Sequence, residues 1–230
     1  MCGRFVLEIS PELLMKVYRL PSVPDWQPRY NIAPGQNVAV IRQHNGGDRA
    51  LAWLQWGLIP SWAKEQSIGH KMINARCETV HEKPSFKHAF QARRCIIPAS
   101  GFYEWEKRGP EKIPHYIHLR DHQIMSFAGL WEKWTSSEGK TLETCTILTT
   151  AANSLLKKLH DRMPVILHSE EIELWLNRGI DDVNRLKGLF HPYPSDQLAE
   201  YVVSKAVNHP ANDSPACITP LSPQAKTPHQ

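Results

Sequence analysis

Residues 95–150 constrain the fold more than any other stretch of this chain. Five short runs there, at 95–97, 102–106, 115–119, 124–130 and 144–149, carry apolar and aromatic side chains and are separated by Gly/Pro or polar turns. Runs of that length bounded by turn residues read as strands that reverse direction repeatedly. Two more strands, 37–43 and 49–56, flank Asn45-Gly46-Gly47-Asp48, a hairpin sequence. The helical signals are brief. Ser10-Pro11-Glu12 is an N-cap, a first-turn proline and an acid, followed by a stripe of Leu13, Leu14, Val17 and Leu20 that stops before Pro21. Residues 84–93 predict a helix, Asn153 caps a short one through Leu159, and Ser169-Glu170-Glu171 opens another with Leu174, Trp175 and Leu176. Residues 21–36, with four prolines, and 57–71, with Pro60 and Trp62, predict loops, and 199–207 a last strand.

No repeat or linker divides residues 1–208. The expected fold is one α+β domain dominated by antiparallel, barrel-like β-sheet, with several short peripheral helices. Beyond it, Pro210, Pro215, Pro220, Pro223 and Pro228 and few large apolar residues make 209–230 a flexible tail.

Composition narrows the function classes. No apolar run approaches the roughly 18 residues of a membrane span, and Glu8, Pro11 and Glu12 interrupt any signal-peptide core. The five cysteines, Cys2, Cys77, Cys95, Cys145 and Cys217, include no CxxC pair, which favours a reducing cytoplasm over a disulfide framework. His118 and His122 lie across a strand and its turn, and no HExxH, P-loop or GxGxxG is present, so neither a metal nor another cofactor is expected. Net charge of +4 and eight tryptophans, several near arginines, are compatible with nucleic acid.

Cys2 follows Met1 directly. Cysteine is small enough for a methionine aminopeptidase to expose it. A terminal cysteine then presents an α-amine of pKa roughly 7.7–8.0 beside a thiol of roughly 8.5, both partly deprotonated at neutral pH. An aldehyde suits this pair: the amine forms an imine and the sulfur closes a five-membered thiazolidine on the same carbon.

Other polar residues stand where strands end or tight loops begin. Period-2 alternation puts Phe102, Glu104 and Glu106 on one face. Glu104 is either a solvent-facing glutamate on an edge strand or a desolvated carboxylate with a raised pKa, suited to proton transfer. His160 is a helix C-cap or a proton donor near neutral pH. Asn74 is a turn residue or an amide that orients a reacting group. Arg4, Arg76 and Arg162 are surface charges or phosphate grips. Taken singly, each has an ordinary structural role that suffices.

Together the segments resemble the SRAP family (SOS response-associated peptidases, abasic-site processing proteins). The matching words include Cys2-Gly3-Arg4-Phe5, Arg29-Tyr30-Asn31-Ile32-Ala33-Pro34-Gly35, Trp56-Gly57-Leu58-Ile59-Pro60-Ser61-Trp62, Asn74-Ala75-Arg76-Cys77-Glu78, Ser100-Gly101-Phe102-Tyr103-Glu104-Trp105 and His160-Asp161-Arg162-Met163-Pro164. They run in family order from residue 2 to about residue 208, leaving the tail outside. The resemblance implies binding to abasic sites in single-stranded DNA and a covalent crosslink through Cys2, in DNA repair after damage. It implies Cys2 as nucleophile, Asn74 as orienting amide, and Glu104 and His160 as proton carriers. Arg4, Arg76, Arg162, Trp62, Asn31, Pro34 and Gly35 would contact DNA. Lyase-type Schiff-base chemistry and self-processing peptidase activity accompany it, with little processing needed before Cys2. A cytoplasmic monomer is expected. Two rival readings remain. One is an N-terminal-nucleophile amidotransferase, which shares Met-Cys-Gly but departs at Arg4. The other is a noncatalytic single-strand-binding module.

Overall fold

The computed structural model describes residues 2–44 and 47–221. Its strands are β1 (Phe5–Leu7), β2 (Arg29–Ile32), β3 (Asn37–Gln43), β4 (Arg49–Trp56), β5 (Asn74–Arg76), β6 (Arg94–Ala99), β7 (Gly101–Arg108), β8 (Glu111–Leu119), β9 (Met125–Thr135), β10 (Thr141–Ala151), β11 (Arg162–Pro164), β12 (Ile166–Leu167) and β13 (Leu198–Val202). Four short helices surround them: α1 (Pro11–Tyr18), α2 (Lys87–Ala92), α3 (Glu171–Leu176) and α4 (Val183–Lys187).

Strands β10, β4, β3, β6 and β9 pair in that order, and β9 pairs back to β10, so five strands close into a barrel. Closure leaves these strands no free edges within the ring. A second sheet, in the order β13-β8-β7-β1-β2, packs against it. Most pairings are antiparallel, as expected for this α+β, sheet-dominated domain. The pairings of β10 with β4 and with β5 are parallel.

Barrel strands β6, β9 and β10 are buried on both faces over most of their length, whereas β4 is only partly covered. Cys95, Ile97, Phe127, Cys145 and Ile147 point into one core with Phe5 and Phe102 of the second sheet. Ile96, Ala128, Leu130 and Leu148 point into another, beneath Leu14 and Tyr18 of α1 and Trp175 of α3. All of β6 is consequently buried, which explains its unbroken apolar reading.

Several sequence expectations change in detail. In α1, Ser10 caps Leu13 N–H and Arg19 ends the helix at φ 53°. However, the buried face is Leu14 and Tyr18, while Leu13 and Val17 are exposed. The loop at 21–36 contains β2, and the one at 57–71 contains a 3-10 turn at Gln66–Lys71. Asn153 does accept from Leu156 N–H at 3.0 Å, but residues 154–159 form successive turns and no regular helix. The last strand stops at Val202 and gives way to a 3-10 turn at Lys205–Asn208. The hairpin between β3 and β4 forms, with Gln43 opposite Arg49, although Asn45 and Gly46 lie outside the described residues.

Of the tail expected over 209–230, residues 222–230 lie outside the described residues, while 209–221 pack further along the domain than their prolines suggest. The Asp213 carboxylate accepts from the backbone N–H groups of Tyr30 and Asn31 and pairs with Arg29. It thereby satisfies donors on the outer edge of β2. The buried Asn31 amide donates to the carbonyls of Val207, His209 and Asn212.

Gly101 shows how tightly the second sheet is built. A Cβ there would come within 2.4 Å of the Ile117 carbonyl oxygen and 2.6 Å of the Tyr116 ring. Backbone cannot yield as a flexible side chain does, so Gly101→Ala should destabilise the protein by about 1–3 kcal/mol. Urea unfolding of the variant against the wild type checks this.

Candidate active site

Cys2 sits where the two sheets meet. The strand that follows it, β1, is hydrogen-bonded into the second sheet, with Phe5 opposite Phe102 and Arg4 O accepting from Tyr103 N–H at 2.9 Å. The residue before a strand would ordinarily fray. Here Cys2 is completely buried and belongs to the main core cluster. Asn74, at the start of β5, donates from Nδ2 to the Cys2 carbonyl at 2.8 Å. Strand β5 owes its position to the parallel register with β10, Asn74 opposite Ile147, so a barrel strand fixes the amide that holds the terminus. Among the described residues the buried Asn74 Oδ1 accepts no hydrogen bond. An acceptor left open beside the N-terminal residue is a place for a ligand donor.

Glu104 approaches from β7. The edge-strand reading fails for a topological reason: β7 lies between β8 and β1, and Glu104 is 4% exposed, with Phe102 buried on the same face. Burial raises the Glu104 pKa. The positive charge of His160 pulls it partly back, and Asp161 adds to the rise. Burial, reinforced by the Glu104 charge, also pushes the Cys2 thiol well above its ordinary value. The partly ionised thiol expected from reference values is therefore replaced by a protonated one.

His160 stands at the mouth of this site. Its Nδ1 accepts from Arg162 N–H at 2.9 Å and lies 2.8 Å from Asp161 Oδ1. Nδ1 therefore faces both a backbone donor and the Asp161 carboxylate. Glu104 and His160 together line a cavity of about 420 Å³ with Trp105, Lys107, Lys112 and Asn208. The four residues expected to carry chemistry thus come together through hydrogen bonding, charge coupling and a shared cavity.

The residues expected to touch DNA are not equivalent. Arg76 is exposed at the end of β5, and Trp62 is 60% exposed after β4. Gly35, at φ +85°, is exposed beside a half-buried Pro34 and donates to Trp56 O at 2.8 Å. Asn31 is fully buried, as a fastener of the 207–212 segment. Arg4 donates to Asn31 Oδ1 at 2.6 Å and Val207 O at 2.8 Å, and lies over the Trp105 ring. Arg162 is buried and forks onto Glu78, with Nη1–Oε1 2.5 Å and Nη2–Oε2 2.9 Å. Hydrogen bonding from Arg162 is the main reason Glu78 sits below the usual carboxylate range. That fork joins the segment bearing Asn74 to the segment bearing His160. Sequence reasoning missed Trp105, Lys107, Lys112 and Asn208 as cavity walls. The hairpin register that pairs Lys107 with Lys112 was available in principle, since Gly109-Pro110 marks its turn.

The class this defines is a sheet-built domain that buries a cysteine near the start of its chain at the seam of two sheets, with an amide on the cysteine carbonyl and a carboxyl group beside it. Residues 1–210 match the family described as SOS response associated peptidase (SRAP), and the chain belongs to that family. Abasic site processing protein YoqW of Bacillus subtilis (strain 168) is 46% identical over 222 residues, covering 95% of this chain and 99% of the relative. Abasic site processing protein HMCES of Xenopus tropicalis is 30% identical over 265 residues, covering 96% of this chain and 78% of that protein. A crystal structure of a protein from Bacteroides thetaiotaomicron superposes with a TM-score of 0.85 at 28% identity, covering 96% of this chain and all of that one.

The raised Glu104 pKa has a consequence for stability. Below its ordinary value of 4.5 the carboxyl is protonated in both folded and unfolded chains. As pH rises through the higher folded-state value, the native protein must carry a buried charge, and the stability present at low pH is lost. Glu104→Gln should therefore be more stable than wild type near pH 8, with the advantage disappearing as pH falls to about 4. Denaturant midpoints across that range test the sign.

Proposed function

We propose that this protein binds abasic sites in single-stranded DNA and captures the ring-opened sugar on Cys2 once Met1 has been removed. The observation that carries the reading is the burial of Cys2 with its carbonyl fixed by Asn74 and a carboxylic acid of raised pKa alongside. The names of the SRAP relatives support the substrate class. Among the described residues no helix is long and apolar enough to cross a membrane.

The reaction follows from the groups present. The Cys2 α-amine adds to the C1′ aldehyde, and Glu104 takes the proton that the nitrogen sheds. The resulting carbinolamine loses water to give an imine, with His160 the donor to the departing oxygen. Asn74 Oδ1 is open to accept from the amine or a sugar hydroxyl. The thiol sulfur then bonds to the imine carbon, and its proton passes to the imine nitrogen, completing the thiazolidine with no external reagent. A protonated imine also acidifies the C2′ hydrogen, so β-elimination, the lyase reaction, competes. Ring closure is intramolecular, and effective molarities of about 10⁵ M or more let it outrun elimination. Exposed Arg76 and Trp62 extend the binding surface as a phosphate contact and a base-stacking platform.

Wild type, Cys2→Ala and Glu104→Gln, each with Met1 removed, are compared on an oligonucleotide with one abasic site by denaturing electrophoresis. Wild type should give a heat-stable crosslink. Cys2→Ala keeps the amine, so borohydride should trap an imine, but no heat-stable product should form and strand cleavage should rise. Glu104→Gln should slow imine formation by about 10²–10⁴-fold. A heat-stable crosslink from Cys2→Ala would move the nucleophile elsewhere. Ammonia release from glutamine without crosslinking would favour the amidotransferase reading instead. Intact mass spectrometry of fully active wild type should find Cys2 at the terminus, and retained Met1 in that material would rule out the thiazolidine.

A further inference from the structure

We propose that Lys107 and Lys112 form a clamp for a DNA backbone phosphate on the open side of the Cys2 site. The inference rests on the abasic-site reading above and specifies where the strand's charge is met. The two lysines are direct register partners across the hairpin of β7 and β8. Both are exposed, and both line the cavity that Glu104 and His160 share.

Like charges facing each other across an antiparallel pair repel. Among the described residues neither ammonium has an ion-pair partner, because the acids of the hairpin are committed elsewhere. Glu106 pairs with Arg108 at 2.8 Å and His115 at 3.4 Å, and Glu111 with Lys205 at 3.2 Å. Two uncompensated positive charges beside one cavity are relieved by a phosphodiester.

The arginines first expected in this role are differently placed. The charge of Arg162 is balanced by Glu78, and Arg4 is spent on Asn31 and Val207. The cations facing this cavity without such partners are the lysines. An abasic nucleotide also offers no base edge to read, so its recognition leans on phosphate contacts, which lysine makes as a point charge regardless of sequence.

The test uses Lys107→Gln, Lys112→Gln and the double variant, with Lys→Arg at both positions as the charge-preserving control. Binding is measured on a single-stranded oligonucleotide whose abasic site has been reduced, so that no aldehyde remains and no crosslink forms. Each lysine should account for about 0.7 of the slope of log affinity against log salt, so the double variant should lose about 1.4 units of slope. Between about 50 and 200 mM salt, wild type should then lose roughly sevenfold more affinity than the double variant. The Lys→Arg protein should restore the slope. A single uncharged methylphosphonate placed 5′ or 3′ of the site should weaken wild type on one flank, and the double variant should be indifferent to that substitution. An unchanged salt slope, or equal sensitivity of both proteins to the neutral linkage, would overturn the clamp. Wild-type crosslinking to the unreduced oligonucleotide is run alongside. Its absence would overturn the abasic-site reading itself, whereas crosslinking with an unaltered slope would overturn only the clamp.

Discussion

One hydrogen bond, from the Asn74 side chain to the Cys2 carbonyl, fixes the start of this chain in the core. A terminal residue has covalent connection on one side only, so without a second anchor it samples many positions. The sheet pairing of β1 supplies one anchor and Asn74 supplies the other. Because Asn74 is itself held in register by barrel strand β10, the position of Cys2 is set by the barrel. Sites built on strands hold geometry better than sites on loops, and this one joins two sheets at their seam.

Two arginines of the family words, Arg4 and Arg162, belong to that same framework, whereas Arg76 is exposed. Arg162 is forked onto Glu78, tying the turn after β5 to the start of β11, and Arg4 is bonded to Asn31 and to the 3-10 turn at Lys205–Asn208. Each links segments far apart in sequence, and each stands within two residues of a group proposed to react. A guanidinium suits such a joint because its planar fork satisfies several acceptors at once without losing its charge. These fasteners explain why charged side chains near the site are buried, at positions where an unpaired charge would be costly.

Barrel strands such as β6 were legible in the sequence because burial on both faces writes continuous apolar runs, as in Cys95-Ile96-Ile97. Near the site, β7 was legible as the 102–106 run, but the shortest strands were not. β1, β5, β11 and β12 are two or three residues long, and their existence depends on partners dozens of residues away, so no local period announces them. Burial of Glu104 was equally hidden: Phe102-Tyr103-Glu104-Trp105 alternates the same way on an edge strand or a central one, and only the sheet order decides. Cys2 was legible as chemistry, since an amine and a thiol on adjacent carbons define a reactivity before any fold exists. Its protonated thiol was not, because that follows from the packing around it.

That packing sets the character of the proposed reaction. A solvent-exposed terminal cysteine would meet any aldehyde through its thiolate as readily as through its amine. Here burial suppresses the thiolate, so the amine, with Glu104 as proton acceptor, has the first move and the sulfur the second. The order matters, because an imine formed first holds the aldehyde carbon close to a thiol that carries the proton ring closure requires. In the proposed reaction the folding stability given up at a single carboxyl is exchanged for a sequence of steps that an exposed terminus would not impose.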